Sequence, residues 1–292
     1  SESSERIDYK KEFFSNQLTA DKNKILLLGS SHIGHLNMTH ITNEIIEKKL
    51  DFIVYNLADN GDTPEIRHSD LEEIINLEPK LVFYGISYRD FNQLTKSEDP
   101  QTTNFDIKKS IEKSIPEELK SINPQLLTRK AIRTVLDDSK IIEKPTYEIK
   151  PPNTPFFALG ELQTKIISEN ELKRQLLIVL PEPSKIQINL ENENIKKFYN
   201  IIEKLHENKI KVVIFTTPIH EIYLNEISDA AINTFNDMKK EISEKNNIKI
   251  YDFEKRYSEL EIWNNLDHIA YNKKSKIFTH EITEMILEEI NP

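Results

Sequence analysis

The stretch KILLLGSSHIGHLN, residues 24–37, carries the clearest structural signal in this sequence. It begins with an apolar run, passes through Gly29, Ser30, Ser31 and His32, and continues into an amphipathic segment. Such an order is typical of a buried strand that turns into a helix. Serine is common at the position before a helix, so this turn fits either an ordinary helix start or the presentation of a nucleophile.

The same alternation continues along the chain. Strands are predicted at 24–29, 52–57, 80–86, 211–218 and 248–252. Helices are predicted at 35–49, 65–77, 190–207, 223–246 and 273–290. Because strands alternate with helices, we expect an α/β fold with a central parallel sheet covered on both faces. In such sheets the ligand site lies beyond the carboxyl ends of the strands.

Residues 92–188 interrupt this pattern. They hold most of the 13 prolines and lose the helical and strand periodicity, with short helices predicted near 106–122 and 125–138. Scattered large apolar residues give the segment something to bury, so we interpret it as a mainly helical insertion or cap. We therefore expect one domain over 1–292, whose core is formed by 22–91 and 189–292 around the insertion 92–188.

Composition excludes several classes of function. The 292 residues carry a formal charge of −10, with acidic and basic residues interspersed. Nucleic-acid binding needs a basic patch, so we expect no nucleic-acid partner. There is no cysteine, which excludes disulfides, thiol nucleophiles and cysteine-ligated metal centres. We also expect no cofactor.

The chain offers little direct information about its location. No apolar run approaches the length of about 20 residues that spans a bilayer. We see no signal peptide, yet the sequence begins SESSERIDYK without a methionine, which is compatible with processing.

Glycine placement points to the strand ends. The chain has only five glycines, and Gly29, Gly61 and Gly85 lie at or just beyond the ends of the first three predicted strands. Glycine permits positive φ and close approach of the backbone. We therefore expect that the backbone itself matters at these turns.

Four blocks of the sequence resemble the SGNH (GDSL-like) hydrolases, in particular divergent exported members that modify O-acyl groups of polysaccharides or teichoic acids. The blocks are Gly29-Ser30-Ser31-His32, Gly61 in NLADNGDTP, Gly85-Ile86-Ser87 in VFYGISYRD, and His268 in NNLDHIAYN. They occur in the family's order and cover roughly 24–90 and 190–290. The resemblance implies a three-layer, flavodoxin-like SGNH sandwich.

The resemblance also implies acyl transfer. Ser31 is the implied nucleophile and His268 the base that takes its proton. The tetrahedral oxyanion needs donors already in place, which the family supplies at the positions of Ser31, Gly61 and Ser87. An acyl ester, such as that of an extracellular glycan, is the implied substrate, and export to the cell surface follows from the family. A transferase would also need an acyl donor or a membrane-associated partner.

Two positions depart from the family pattern. The third block normally supplies an asparagine, and here the position holds Ser87, whose hydroxyl is a shorter donor. The position three before the histidine normally holds aspartate, and here it is Asn265, which can orient an imidazole but carries no charge. Asp267 directly precedes His268, and because neighbouring side chains usually diverge, we do not assign it as the acid.

Other residues at the strand ends have weaker signals. Arg89 and His220 are candidate substrate-binding residues, although Arg89 is equally suited to a surface pair with Asp90. His32 and His35 lie near the nucleophile, but without a carboxylate at fixed spacing we expect no metal site.

Three functions remain open from the sequence. The first is an SGNH-type esterase or O-acyltransferase using Ser31, His268 and Asn265. The second is a catalytically weak or inactive protein of this fold that serves as an extracellular binding or structural component. The third, a nucleotide-binding doubly wound domain, fits the topology but lacks a glycine-rich phosphate loop.

Overall fold

The computed structural model describes residues 13–15, 23–93, 163–176 and 183–291. The chain divides into two compact units, Ser1–Gln93 with Tyr147–Pro292 and Leu94–Thr146, and every described residue belongs to the first. The helices predicted near 106–122 and 125–138 lie outside the described residues.

Within the described ranges, five parallel strands form the central sheet. They are β1 (Asn23–Leu28), β2 (Phe52–Asn56), β3 (Leu81–Ile86), β4 (Lys211–Thr216) and β5 (Ile250–Tyr251). Their order across the sheet is β2-β1-β3-β4-β5, and every pairing is parallel. This is the flavodoxin-like order, so the predicted fold class is confirmed.

Helices and short 3₁₀ turns connect the strands. The α-helices are α1 (Ser31–Gly34), α2 (Met38–Glu47), α3 (Pro64–His68), α4 (Leu71–Asn76), α5 (Glu169–Leu176), α6 (Glu193–Glu207), α7 (Glu221–Leu224), α8 (Asp229–Asn246) and α9 (Lys276–Ile290). The 3₁₀ turns are Tyr88–Phe91, Pro183–Lys185 and Lys273–Ser275. None of the helices in the described ranges is both long enough and apolar enough to cross a bilayer.

The strand order determines which helices share a face. The crossover from β1 to β2 runs in the opposite direction across the sheet to the later crossovers. Because parallel crossovers are right-handed, α2 covers one face, where it packs on α9. The helices α3 and α6 pack together on the other face. Between the layers the apolar residues Ile25, Leu26, Leu27 and Leu28 of β1 are completely buried.

One predicted helix is divided in two. The sequence predicts a continuous helix over 65–77, but the helical hydrogen bonding stops between α3 and α4. The Ser69 hydroxyl donates to the Ile66 carbonyl at 2.6 Å, and the Asp70 N–H donates to the Arg67 carbonyl at 3.0 Å. Short-range bonds of this kind compete with the regular helical pattern. Arg67, just before this interruption, is 1% exposed.

Two glycines let the backbone of β3 approach the turn after β1. Gly29 has φ +143°, and a Cβ there would lie 2.5 Å from the carbonyl oxygen of Gly85. A Cβ on either glycine would also lie within 2.3 Å of the Ile33 side chain. The glycine requirement expected at these two strand ends therefore has a steric cause, and it places the turn directly beside the end of β3.

Candidate active site

The turn after β1 places Ser31 at the carboxyl edge of the sheet. Ser30 has an extended backbone and precedes the helix, and Ser31 is the first residue of α1. The Asn56 side chain, completely buried at the end of β2, donates to the Ile33 carbonyl at 3.0 Å and so fixes the short helix. Ser31 remains partly exposed, whereas Ser30 is buried.

Ser31 and His268 contact each other although 237 residues separate them in the chain. The distance from Ser31 Oγ to His268 Nε2 is 2.7 Å. The His268 side chain is 12% exposed, so this edge is accessible from solvent. The geometry is that of a hydroxyl that donates its proton to an imidazole nitrogen, as nucleophile activation requires.

A tight turn brings the residues before His268 against its ring. The N–H of Asn264 donates to the His268 carbonyl at 2.9 Å, and Trp263 pairs with Ile269 in an antiparallel bridge. Within the turn, Asn265 Oδ1 accepts from the N–H groups of Asp267 at 3.0 Å and His268 at 2.8 Å. The Asn265 side chain therefore closes the turn by accepting from two backbone N–H groups.

Both Asn265 and Asp267 face His268 Nδ1. Asp267 Oδ1 lies 2.7 Å from Nδ1, and Asn265 Oδ1 lies 3.1 Å away while it also accepts two backbone N–H groups. Adjacent side chains usually diverge, so Asp267 was not expected to face the ring. The turn reverses that expectation, because it folds the Asp267 side chain back onto the neighbouring ring. The charged carboxylate is therefore the nearer partner of Nδ1.

The Asp267 carboxylate is buried among His268, His32 and Arg89. Its Oδ2 accepts a hydrogen bond from Arg89 Nη1 and lies 3.4 Å from His32 Nε2. Burial alone would raise the pKa of Asp267, but the charge and hydrogen bond of His268, with the contributions of His32 and Arg89, hold that pKa well below its ordinary value. Asp267 is therefore ionised at neutral pH and can fix the proton of His268 on Nδ1, which leaves Nε2 free to accept from Ser31.

Two further histidines surround His268 without carrying charge. The His32 ring stacks on the His268 ring with centroids 4.4 Å apart, and its Nδ1 lies 2.7 Å from Ser30 Oγ. His35 Nδ1 donates to the Ile269 carbonyl at 2.8 Å. Burial, followed by the proximity of His268, lowers the pKa of each to about 4. Both rings are therefore neutral near pH 7 and pack around the Ser31–His268 pair.

One group in the described ranges has the composition of a metal site. His32, Asp267 and His268 have ligand atoms within 4.8 Å of one another. However, His268 uses both ring nitrogens, toward Ser31 and Asp267, and the Arg89 guanidinium binds the same carboxylate. A cation at this position would compete with these contacts, so the cluster is better suited to proton transfer than to metal binding.

The predicted oxyanion donors lie on neighbouring loops. The loop after β2 is tied to the Ser31 turn by the Asp59 N–H, which donates to the Gly29 carbonyl at 3.0 Å. Gly61 in this loop is exposed, with φ +66°, and a Cβ there would meet nothing within 4 Å. Ser87 is 1% exposed, and its N–H donates to Asp90 Oδ2 at 2.6 Å. Their assignment as donors remains a prediction.

A buried ion pair that sequence reasoning missed holds the loop after β2. Arg67 Nε donates to Asp62 Oδ2 at 2.8 Å, and its Nη2 donates to the Leu57 carbonyl at 2.8 Å. Both partners of the pair are almost completely buried. Arg67 therefore clamps the two ends of the loop that contains Gly61. The only sequence signal was an arginine on the apolar side of a short helix.

The predicted substrate-binding residues are both engaged within the protein. Arg89 binds Asp267 rather than its neighbour Asp90. His220 is 6% exposed, its Nδ1 accepts from the Ile222 N–H at 3.2 Å, and its ring packs on Trp263. The His220 N–H also donates to the Leu266 carbonyl at 2.9 Å. His220 thus supports the turn before His268 from the end of β4.

Residues 163–167, from the end of the predicted insertion, line the outer side of the same turn. The Ile167 N–H donates to the Trp263 carbonyl at 2.9 Å, and the Tyr271 N–H donates to the Gln163 carbonyl at 2.7 Å. The Asn264 side chain donates to the Lys165 carbonyl at 2.8 Å. This part of the segment 92–188 therefore supports the His268 turn.

Replacing the buried Asp90 with asparagine should make stability less sensitive to pH. Burial raises the pKa of Asp90 to about 7, and the Ser87 N–H offsets this only in part. Between about pH 4 and pH 7 the folded protein therefore holds a proton that the unfolded chain releases, so this group lowers stability as pH rises. We expect Asp90→Asn to gain roughly 2–4 kcal/mol relative to the natural chain between pH 4 and pH 7, with no further change above.

Urea unfolding at several pH values checks this expectation. Asp229→Asn removes an exposed carboxylate in the first turn of α8 and is the matched control. Its difference from the natural chain should change much less over this pH range than that of Asp90→Asn, because an exposed carboxylate at a helix N-terminus contributes at most about 1 kcal/mol. A difference for Asp90→Asn that does not change with pH would contradict the raised pKa.

The described fold has counterparts among solved structures. The acetyl xylan esterase AlAXEase is 11% identical with a TM-score of 0.47, covering 91% of this chain and 98% of its own. The psychrotrophic esterase EstA from Pseudoalteromonas sp. is 11% identical with a TM-score of 0.49, covering 92% and 100%. A GDSL-like lipase from Bacteroides thetaiotaomicron is 10% identical with a TM-score of 0.45, covering 97% and 98%.

Sequence comparison adds nothing to these similarities. No protein-family model matches the chain, and no curated protein matches it.

Proposed function

We propose that the protein is an SGNH-type serine esterase that cleaves acyl esters. Ser31 is the nucleophile, His268 is the general base, and Asp267 is the acid that orients His268. The observation that carries the proposal is the 2.7 Å contact between Ser31 Oγ and His268 Nε2, made by a partly exposed serine at the carboxyl edge of the sheet. The 2.7 Å contact on the opposite ring nitrogen supports it.

The proposed reaction has two halves. Ser31 Oγ attacks the ester carbonyl while its proton passes to His268 Nε2, and His268 then protonates the departing alcohol. Water then attacks the resulting acyl-serine while its proton passes to His268 Nε2, and His268 returns that proton to Ser31 Oγ as the carboxylic acid leaves. The N–H groups of Ser31 and Gly61 are the proposed oxyanion donors, with the Ser87 hydroxyl as a third.

The sequence resemblance supports acyl esters of extracellular glycans as the substrate class, and with it an exported or cell-surface location. Transfer of the acyl group to an acceptor alcohol instead of water uses the same acyl-serine. It would need an acyl donor or a membrane-associated partner.

The alternative is a catalytically weak or inactive protein of this fold with an extracellular binding or structural role. Ser87 favours this alternative, because it stands where the family has asparagine and is almost completely buried. Asn265 would also favour inactivity, because it carries no charge where the family has aspartate. Asp267, however, places a carboxylate against His268 Nδ1.

Ester hydrolysis tests the proposal. We expect the protein to release p-nitrophenol from p-nitrophenyl acetate and acetate from an O-acetylated polysaccharide, with Ser31→Ala as the background control. Added acceptor alcohols distinguish transfer from hydrolysis by the yield of new ester. Turnover no faster than that of Ser31→Ala on every ester would favour the inactive alternative.

A further inference from the structure

We propose that Arg89 is a positioning residue that holds the Asp267 carboxylate in register with His268. This inference depends on the proposed function, because it gives the acid of the proposed triad a fixed orientation. The two carboxylate oxygens of Asp267 have different partners: Oδ1 faces His268 Nδ1 and Oδ2 accepts from Arg89 Nη1. A carboxylate held at both oxygens has one orientation, and rotation about its terminal torsion would break both contacts.

Arg89 is itself held in place by buried neighbours. It belongs to the 3₁₀ turn Tyr88–Phe91 that follows β3. The Tyr88 hydroxyl donates to Glu254 Oε2 at 2.8 Å, and the Phe91 ring packs edge-on against Phe198 with centroids 5.3 Å apart. Tyr88 and Phe91 are both at most 1% exposed. The guanidinium therefore projects from a rigid base at the end of a central strand.

The need for such a residue follows from the chain order of Asp267 and His268. Adjacent side chains point in different directions in most backbone conformations, and here only a tight turn brings them together. The turn is closed by Asn265 from within, but Asn265 contacts the backbone of Asp267 and leaves its carboxylate without a second constraint. Arg89 supplies that constraint from the opposite side of the carboxylate, 178 residues away in sequence.

The contact between Asp267 and Arg89 is largely shielded from solvent at the Asp267 side. The Asp267 side chain is 5% exposed and that of Arg89 is 31% exposed. Removing one partner of a buried charge pair leaves the other without compensation and free to reorient. His32 Nε2 lies 3.4 Å from Oδ2 and is uncharged near pH 7, so it makes a weaker contact with the carboxylate than the Arg89 guanidinium does.

The charge-removing substitution Arg89→Met tests the inference, with Arg256→Met as the matched control. Arg256 pairs with Glu281 and makes no contact with Ser31, Asp267 or His268. We expect Arg89→Met to lower kcat for p-nitrophenyl acetate about 100-fold, as misplacement of a catalytic group does. KM for this neutral ester should change by no more than about 3-fold, because Arg89 does not contact it in this account.

A spectroscopic measurement separates positioning from folding and from substrate binding. The His268 Nδ1 proton, bonded to a carboxylate, should give a far-downfield proton NMR resonance in the natural chain and in Arg256→Met. We expect Arg89→Met to move or broaden this resonance, and circular dichroism to show that the variant is folded. Should Arg89→Met not fold, Arg89→Gln carries the same two measurements with the same expected directions.

The outcomes are distinct. An unchanged resonance and kcat in Arg89→Met, with a raised KM for anionic esters only, would overturn the positioning role and assign Arg89 to substrate binding. The natural chain could also hydrolyse no ester while Arg89→Met still alters the resonance. That result would support the role of Arg89 and reject the proposed esterase activity.

Discussion

Replacing Ser31 with alanine is expected to lower kcat for p-nitrophenyl acetate by about 10⁶-fold, the loss seen when the nucleophile of a serine hydrolase is removed. The variant keeps the backbone N–H of residue 31 and the surrounding loops, but no acyl-enzyme can form. Because the side chain is small and partly exposed, we expect the melting temperature to remain close to that of the natural chain.

Ser30→Ala is the matched control for this prediction. The Ser30 hydroxyl lies 2.7 Å from His32 Nδ1 and is 4% exposed, so it is neither oriented by His268 nor accessible to substrate. Ser30→Ala should therefore retain turnover well above that of Ser31→Ala. The reverse order of the two activities would assign the nucleophile to Ser30 and reject the proposed pair.

Asp267→Asn is expected to lower kcat by about 10⁴-fold, because a carboxamide no longer fixes the proton of the imidazole on Nδ1. It also leaves the guanidinium of Arg89 without its counter-charge, so a smaller loss of stability should accompany the loss of activity. Steady-state kinetics with p-nitrophenyl acetate and thermal unfolding measure the two effects separately.

Asn265→Asp is the informative comparison. It keeps the oxygen that accepts from the two backbone N–H groups and adds a charge 3.1 Å from His268 Nδ1. We expect this variant to retain activity within about 10-fold of the natural chain, since Asp267 already provides the carboxylate. A mild effect of Asp267→Asn together with a large gain in Asn265→Asp would show that residue 265 holds the acid position, as the sequence pattern indicated.

The sheet could be predicted closely because each strand is a short buried run between turn residues. All five strands begin within two residues of their predicted starts. Four of them end one or two residues earlier than predicted, and β3 ends at the predicted residue. The breaks between α3 and α4 and between α7 and α8 were not predicted. They depend on side-chain bonds, such as that from Ser69 to Ile66, and on the Ser228 cap of α8, which do not alter the apolar periodicity.

The candidate site was predicted in part. Ser31 and His268 follow from the turn residues and the family pattern, and the parallel sheet brings the ends of its strands to one edge. Asp267 was not assigned as the acid because adjacent side chains usually diverge, and Arg89 was assigned to substrate binding or to a surface pair with Asp90. The contact between Asp267 and His268 requires a turn that folds adjacent side chains together. The contact between Arg89 and Asp267 joins residues from two loops that are distant in the sequence. Neither geometry leaves a periodic signal.

The residues that hold the loops around the site could also not be recognised from the sequence. Asn56, Arg67 and His220 are buried polar residues, and each bonds to a backbone carbonyl or N–H group that a sequence does not identify. His220 was assigned to substrate binding because it follows a strand, and that assignment stays a prediction. Its backbone N–H donates to the Leu266 carbonyl, in the turn before His268.

The most direct test of the account is the site of covalent modification by a fluorophosphonate. The tryptic peptide of residues 25–48 contains both Ser30 and Ser31, and fragmentation mass spectrometry distinguishes them. We predict a single phosphonyl adduct on Ser31, absent from Ser31→Ala and slowed in His268→Ala. An adduct located on Ser30 or elsewhere in the chain, or one that forms equally fast without His268, would contradict the proposed catalytic pair.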